Sequence, residues 1–180
     1  MIDRRVSHCA YPAIPTDTTI KMKILDRIKV LFEESKNTAT KNPVIPVLSR
    51  NTSRSDIELP AARLGFALKV IHADSQVSVE EKSMLVELVR KYLDESSEKA
   101  ALIAEELLKI EDVDLEMMYF ARVMNEKLSE QERQDFLSDL FRVAKADNEY
   151  AMIEERDLRI ISRYLLLSHP MFVQTRNRVI

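Results

Sequence analysis

The sequence predicts an all-α protein, a compact helical bundle of about six to seven helices with an internal pseudo-twofold repeat. Three observations support this prediction. Glycine occurs once in 180 residues, at Gly65, although hairpins and other tight turns depend on glycine. Long runs of Ala, Leu, Glu, Lys and Arg favour helix. A short acidic unit also occurs twice, at 72–85 and at 145–158.

The first 55 residues are expected to lie outside this bundle. Residues 1–19 contain two prolines and are expected to form an irregular N-terminal extension. Residues 20–36 are expected to form an amphipathic helix, with positive charge around an apolar stripe at helical spacing. The stripe consists of Ile20, Ile24, Leu25, Ile28, Leu31 and Phe32. Residues 37–55 are rich in Ser, Thr and Asn and contain two prolines, which is typical of a linker.

The remaining residues indicate seven helices, placed by apolar periodicity and by capping residues. They are expected at 60–73, 78–93, 96–110, 114–128, 129–146, 152–167 and from 168 onwards. Pro60 suits the first turn of the first helix, where a missing N–H costs no hydrogen bond. Ser78 with Glu81, and Ser129 with Glu132, form capping-box patterns at the starts of two others.

The two acidic units align when the sequence is shifted by 73 residues. Each has Ala-Asp at the end of one helix and a Glu seven residues later, in the first turn of the next. The carboxylates are Asp74 and Glu81 in the first unit, and Asp147 and Glu154 in the second. If the repeats pack about a pseudo-twofold axis, all four side chains converge.

These four carboxylates are candidate metal ligands. An oxygen-only ligand set favours Ca²⁺, Mg²⁺ or Mn²⁺ over zinc. The alternative is ordinary helix chemistry, because Glu81 fits a capping box and a helix N-terminus favours an anion. Glu154 has Ala151 where a capping serine would stand, and Asp147 lies at a helix C-terminus, where the dipole favours cations. The second unit therefore supports a site more strongly than the first.

The segments ADSQVSVEEK and ADNEYAMIEER resemble the duplicated Ala-Asp-Gly-Glu…Glu signature of the TerB-like family, named for tellurite resistance protein B. The resemblance covers roughly residues 59–178, and the predicted TerB-like domain spans 56–180. Ser75 and Asn148 stand where glycine is usual. The resemblance implies an all-helical fold with internal pseudosymmetry, an acidic cluster thought to bind metal, and a link to stress response. It implies no established catalytic reaction.

Several function classes are disfavoured by the sequence. A single glycine excludes the Walker and dinucleotide-binding loops. His8, His72 and His169 form no metal-ligand pattern, and no nucleophile accompanies the carboxylates, so no enzyme is predicted. Residues 61–180 carry a net charge of −6, which disfavours nucleic-acid binding.

The predicted function is a non-enzymatic helical binding module that coordinates a divalent cation through the paired acidic residues, in a bacterial stress response of the tellurite type. The alternative is a structural adaptor that binds a protein partner or a membrane surface through the basic helix at 20–35, without metal.

Met117, Met118 and Met124 are expected to fill the core, and the alternative is that they form a groove for a partner. One cysteine and no signal-peptide core favour the cytoplasm, with membrane association in the adaptor hypothesis.

Overall fold

The computed structural model describes residues 54–73, 76–110, 113, 116–147 and 152–180. These residues contain seven helices and no strand, which confirms the all-α prediction. The helices are α1 (Arg54–Ile71), α2 (Val79–Leu93), α3 (Ser97–Leu107), α4 (Met117–Lys127), α5 (Glu130–Ala144), α6 (Met152–Tyr164) and α7 (His169–Val179). The predicted extension, the amphipathic helix and nearly all of the linker lie outside the described residues.

Six of the seven helices begin within three residues of the expected start, and α1 is the exception. It begins at Arg54, two residues inside the predicted linker, so Pro60 lies in the helix interior. The prediction that Pro60 stands in the first turn was therefore wrong. An interior proline removes one backbone hydrogen bond and crowds the preceding turn, so the packing of α1 must compensate for that loss.

Four of the helices have a serine as their N-cap residue. The N-cap residues of α2, α3, α5 and α7 are Ser78, Ser96, Ser129 and Ser168, and each hydroxyl accepts a hydrogen bond from the N–H three residues later. The capping boxes predicted at the starts of α2 and α5 are both confirmed. These caps satisfy N–H groups that have no partner within the helix.

The one glycine of the chain lies where α1 and α4 touch. A Cβ atom added to Gly65 would lie 2.4 Å from Cε2 of Phe120 and 2.8 Å from its Cδ2. The Phe120 ring also meets Phe66 edge-on, with the ring centroids 6.5 Å apart. Met117 and Met124 of the same helix are buried, so the expectation of core packing is confirmed for these two, whereas Met118 is exposed and the expectation was wrong for it. Gly65 thus allows an approach that a larger residue would block.

Helix packing follows the predicted pseudo-twofold repeat. Helices α1 and α2 form the first repeat, and α5 and α6 form the second. Helix α1 packs against α6 of the other repeat, α5 packs reciprocally against α2, and α1 and α5 pack against each other. Exchange of the two repeats maps this set of contacts onto itself, as a twofold relation requires.

Burial of the side chains repeats as well. Leu64 and Leu137, Val70 and Val143, and Leu85 and Leu158 are all buried. The third helices break the symmetry, because α3 packs chiefly on α2 whereas α7 packs chiefly on α5. Helix α4 connects the repeats and packs mainly on α1. Within the described ranges, no helix is both long enough and apolar enough to traverse a lipid bilayer.

Candidate functional site

Both acidic units begin at the same kind of helix end. The N–H of Ala73 donates to the carbonyl of Val70, and the N–H of Ala146 donates to the carbonyl of Val143, each over 3.0 Å. These equivalent bonds lie just past the ends of α1 and α5, and the donor of each is the residue before the aspartate of its unit. The two helix ends therefore match, and we call the carboxylate pairs that follow them the first acidic corner (Asp74 and Glu81) and the second acidic corner (Asp147 and Glu154).

Glu81 of the first acidic corner is held by helix capping. Its side chain is buried, with 4 % of the residue surface exposed. Its Oε2 accepts a hydrogen bond from the N–H of Ser78 at 2.8 Å, and the Ser78 hydroxyl accepts one from the N–H of Glu81 at 3.0 Å. Asp74 lies outside the described residues. Capping therefore accounts for the one carboxylate of this corner that the structure describes.

Glu154 of the second acidic corner is equally buried, at 5 % exposure. It lies in the first turn of α6, where the helix dipole favours an anion. The sequence has alanine at position 151, so no side-chain hydroxyl can complete a capping box there. Asp147 is partly buried in the turn that follows α5, at a helix end that disfavours an anion. Neither carboxylate is isolated, because each makes a polar interaction within the protein.

A divalent cation such as Ca²⁺ or Mg²⁺ takes six or more oxygen ligands, from protein side chains, backbone carbonyls and water. Among the described residues, no three His, Cys, Asp or Glu side chains are grouped to hold one ion; Asp74 is not among the residues described. Mg²⁺ is commonly bound through one or two carboxylates while it keeps several waters. The donor chemistry of Asp147 and Glu154 fits such a cation, and convergence of all four carboxylates stays a prediction.

A buried aspartate that the sequence reasoning missed joins α2 to α5. Asp139 is 5 % exposed and accepts hydrogen bonds from Oη of Tyr92 at 2.6 Å and from Nη1 of Arg142 at 2.9 Å. Lys91 of α2 also pairs with it. Burial, together with the hydrogen bond to Asp139, raises the pKa of Tyr92 well above its usual range. The phenol therefore stays protonated and donates to the carboxylate.

A second missed aspartate joins α1 to α6. Asp157 is 2 % exposed and pairs with Nζ of Lys69 on α1 at 3.4 Å and with Nε of Arg156 at 3.4 Å. Each reciprocal interface between the repeats thus contains one buried aspartate paired with a lysine of the other repeat. The signal in the sequence is an acidic residue on an apolar stripe: Asp139 precedes Val143 by four residues, and Asp157 precedes Ile161 by four.

The fold and the paired corners define a class of protein, an all-helical module with a duplicated acidic helix corner. Comparison with protein-family models identifies the family within that class. The model described as tellurite resistance protein TerB matches residues 61–177, which is most of the chain, and the chain belongs to this family. The TerB-like resemblance is therefore confirmed. Comparison with curated proteins and comparison with solved structures gave no match.

Proposed function

We propose that this protein is a non-enzymatic TerB-type helical module that binds Ca²⁺, Mg²⁺ or Mn²⁺ through its acidic corners, in a bacterial stress response of the tellurite-resistance type. Asp147 and Glu154 are the principal ligands, and Asp74 and Glu81 form the weaker pair. Family membership supports the link to stress response. The carboxylate chemistry supports a hard divalent cation.

The observation that carries this proposal is the recurrence of a buried glutamate seven residues after an Ala-Asp helix end, as Glu81 in the first unit and Glu154 in the second. A buried carboxylate is costly unless hydrogen bonds or a positive charge compensate it. The equivalent Glu81 has that compensation in its capping box with Ser78. A cation bound by Asp147 and Glu154 would add a positive charge at the second acidic corner, beside the polar interactions that both carboxylates already make within the protein.

The test is calorimetric titration of the full chain with CaCl₂, MgCl₂ and MnCl₂ in separate experiments. Wild-type protein is expected to bind at least one of the three ions, and Asp147→Asn and Glu154→Gln are expected to lose that binding. The matched control is Glu130→Gln, an exposed acidic residue in the first turn of α5, which is expected to bind as the wild type does. Absence of heat with all three ions, or unchanged binding by Asp147→Asn, would refute the proposal.

The alternative function is an adaptor that acts through residues 20–35. Residues 1–60 carry a net charge of +3, against −6 for the rest of the chain, so the basic segment suits an anionic membrane surface or an acidic protein partner. Vesicle co-sedimentation of the full chain tests this function. Ile28→Glu is expected to abolish association and Thr38→Glu to preserve it. Retention of vesicle binding by Ile28→Glu would exclude membrane binding through this helix. Both functions are compatible with the cytoplasm, and neither involves nucleic acid.

A further inference from the structure

A cleft of about 340 Å³ lies between the C-terminal ends of α5 and α7. Its lining consists of Arg142, Lys145, Arg178 and Val179. Three of these four residues are cationic and none is acidic, although residues 61–180 carry a net charge of −6. We call this feature the basic cleft. It concentrates positive charge on one side of an acidic domain.

Internal partners neutralise only part of this charge. Arg142 donates to Asp139 at 2.9 Å, but Asp139 also pairs with a lysine of α2. Nζ of Lys145 donates to the carbonyl of Val179 at 3.1 Å, which engages one N–H without cancelling the charge. Arg178 has no ion-pair partner in the parts of the chain that the structure describes. The basic cleft therefore keeps excess positive charge facing solvent.

Each repeat pairs one cation near a helix end with a buried aspartate, Arg142 with Asp139 at 2.9 Å in the second repeat, and the basic cleft adds Lys145 and Arg178 to that cation. The residue equivalent to Arg142 is Lys69, which faces the buried Asp157 at 3.4 Å. No acidic side chain lines the basic cleft of the second repeat. Cations near helix C-termini are favoured by the dipole, which explains one cation at each helix end. It does not explain why three of them share a concave surface.

We propose that the basic cleft binds a phosphate group, carried either by a small soluble molecule or by a lipid headgroup. Arginine guanidinium groups bind phosphate oxygens through paired N–H donors, and lysine adds a point charge. The cleft volume lies near the lower end of the roughly 300–1,000 Å³ typical of small-molecule sites. That size suits a phosphate with a small attached group.

The test is a titration of the full chain with pyrophosphate, followed by calorimetry and by NMR shifts of amides in α7, at an ionic strength held constant with NaCl. Wild-type protein is expected to bind, and Arg178→Ala is expected to bind at least tenfold more weakly, which corresponds to about 1.4 kcal/mol. The matched control is Arg163→Ala, an exposed arginine in the last turn of α6 that does not line the cleft. It is expected to bind within about twofold of wild type, and Arg178→Gln serves as a second variant if the alanine variant unfolds.

The same variants distinguish the two sources of phosphate. Vesicles of phosphatidylcholine with phosphatidic acid, compared with phosphatidylcholine alone, test the lipid headgroup. Binding that depends on Arg178 supports the proposal. Binding to pyrophosphate indicates a small soluble ligand, and binding to the phosphatidic acid vesicles indicates a lipid headgroup. Absence of binding to both probes, or an equal loss in Arg163→Ala and Arg178→Ala, overturns it. Arg178→Ala is expected to bind divalent cations as wild type does, so the proposal stands or falls independently of the acidic corners.

Discussion

The first and second acidic corners follow matching helix ends but differ in the residue at the capping position of the next helix. Both corners follow a helix that ends with the same backbone hydrogen bond, and both glutamates are buried to the same extent. Ser78 closes a capping box on Glu81, whereas the sequence offers only Ala151 at the equivalent position. A duplicated fold can therefore keep a serine cap in one copy and lack it in the other, which makes the capping position the place to compare the two corners.

The largest expected effect comes from paired truncation of the core. Leu85 and Leu158 are fully buried at equivalent positions of α2 and α6. Changing either to alanine is expected to lower the free energy of unfolding by about 2–5 kcal/mol, because each change leaves a cavity. Urea denaturation measures both values, and similar values are expected if the repeats pack alike. A cost near zero at one site would contradict the pseudosymmetry of the core.

A smaller effect is expected where the repeats differ in side-chain volume. Gly65→Ala places a methyl group against the Phe120 ring. The overpacking is expected to cost about 1–3 kcal/mol, more than the roughly 0.5–1 kcal/mol of helix propensity that alanine contributes over glycine. The equivalent change Ser138→Ala removes only a hydroxyl bonded to its own helix at Gln134, so it is expected to be nearly neutral.

Thermal unfolding followed by circular dichroism measures these two changes. In a Phe120→Leu background, Gly65→Ala is expected to be less destabilising, because the ring that it meets is gone. An equal cost in both backgrounds would show that the close approach of α1 to α4 does not determine the residue at position 65.

Exchange of the capping residue tests the difference between the corners directly. Ser78→Ala is expected to lower stability by about 1 kcal/mol, because the cap of α2 is lost. Ala151→Ser is expected to stabilise by up to about 1 kcal/mol and to weaken divalent-cation binding, because the added hydroxyl can donate to Glu154 as the Ser129 hydroxyl donates to Glu132. Urea denaturation and calorimetry on the same samples check both expectations. Tighter cation binding by Ala151→Ser would contradict this account of the second corner.

The smallest expected effect depends on pH and involves Glu155 of α6. Hydrogen bonds and charge from Arg159, with Arg176 of α7 adding to them, hold the pKa of Glu155 below its usual 4.5. A depressed pKa stabilises the folded state above the unfolded value, and that stability is lost as pH falls through the folded pKa. Arg176→Gln is therefore expected to cost about 0.2–1 kcal/mol at pH 7.

That cost is expected to disappear at a pH below the folded pKa of Glu155, where the carboxyl is protonated with or without Arg176. Urea denaturation at pH 7 and at low pH measures the difference. A cost that persists at low pH would show that Arg176 stabilises α7 by packing rather than by charge.

Local chemistry made most of the fold predictable. Serine caps and apolar periodicity act within one or two helical turns, so the starts of six helices could be placed from the sequence. Pro60 was misplaced because its cost inside α1 is offset by distant packing, which no local pattern reveals. Asp139 and Asp157 were missed for the same reason, since their lysine partners lie on helices of the other repeat. The basic cleft depends on where α7 packs. The sequence repeat does not extend to α3 and α7, so it could not predict that α3 packs on α2 whereas α7 packs on α5.

The reciprocal packing of α1 on α6 and of α5 on α2 has a consequence for how this chain folds. Neither repeat encloses its own apolar surface, because each completes its core with a helix of the other. Contacts between segments so distant along the chain form only after a large loop has closed, which slows folding. During synthesis, α1 can therefore complete its packing against α6 only after α6 has left the ribosome. We expect the two halves to gain protection from hydrogen exchange together rather than in succession.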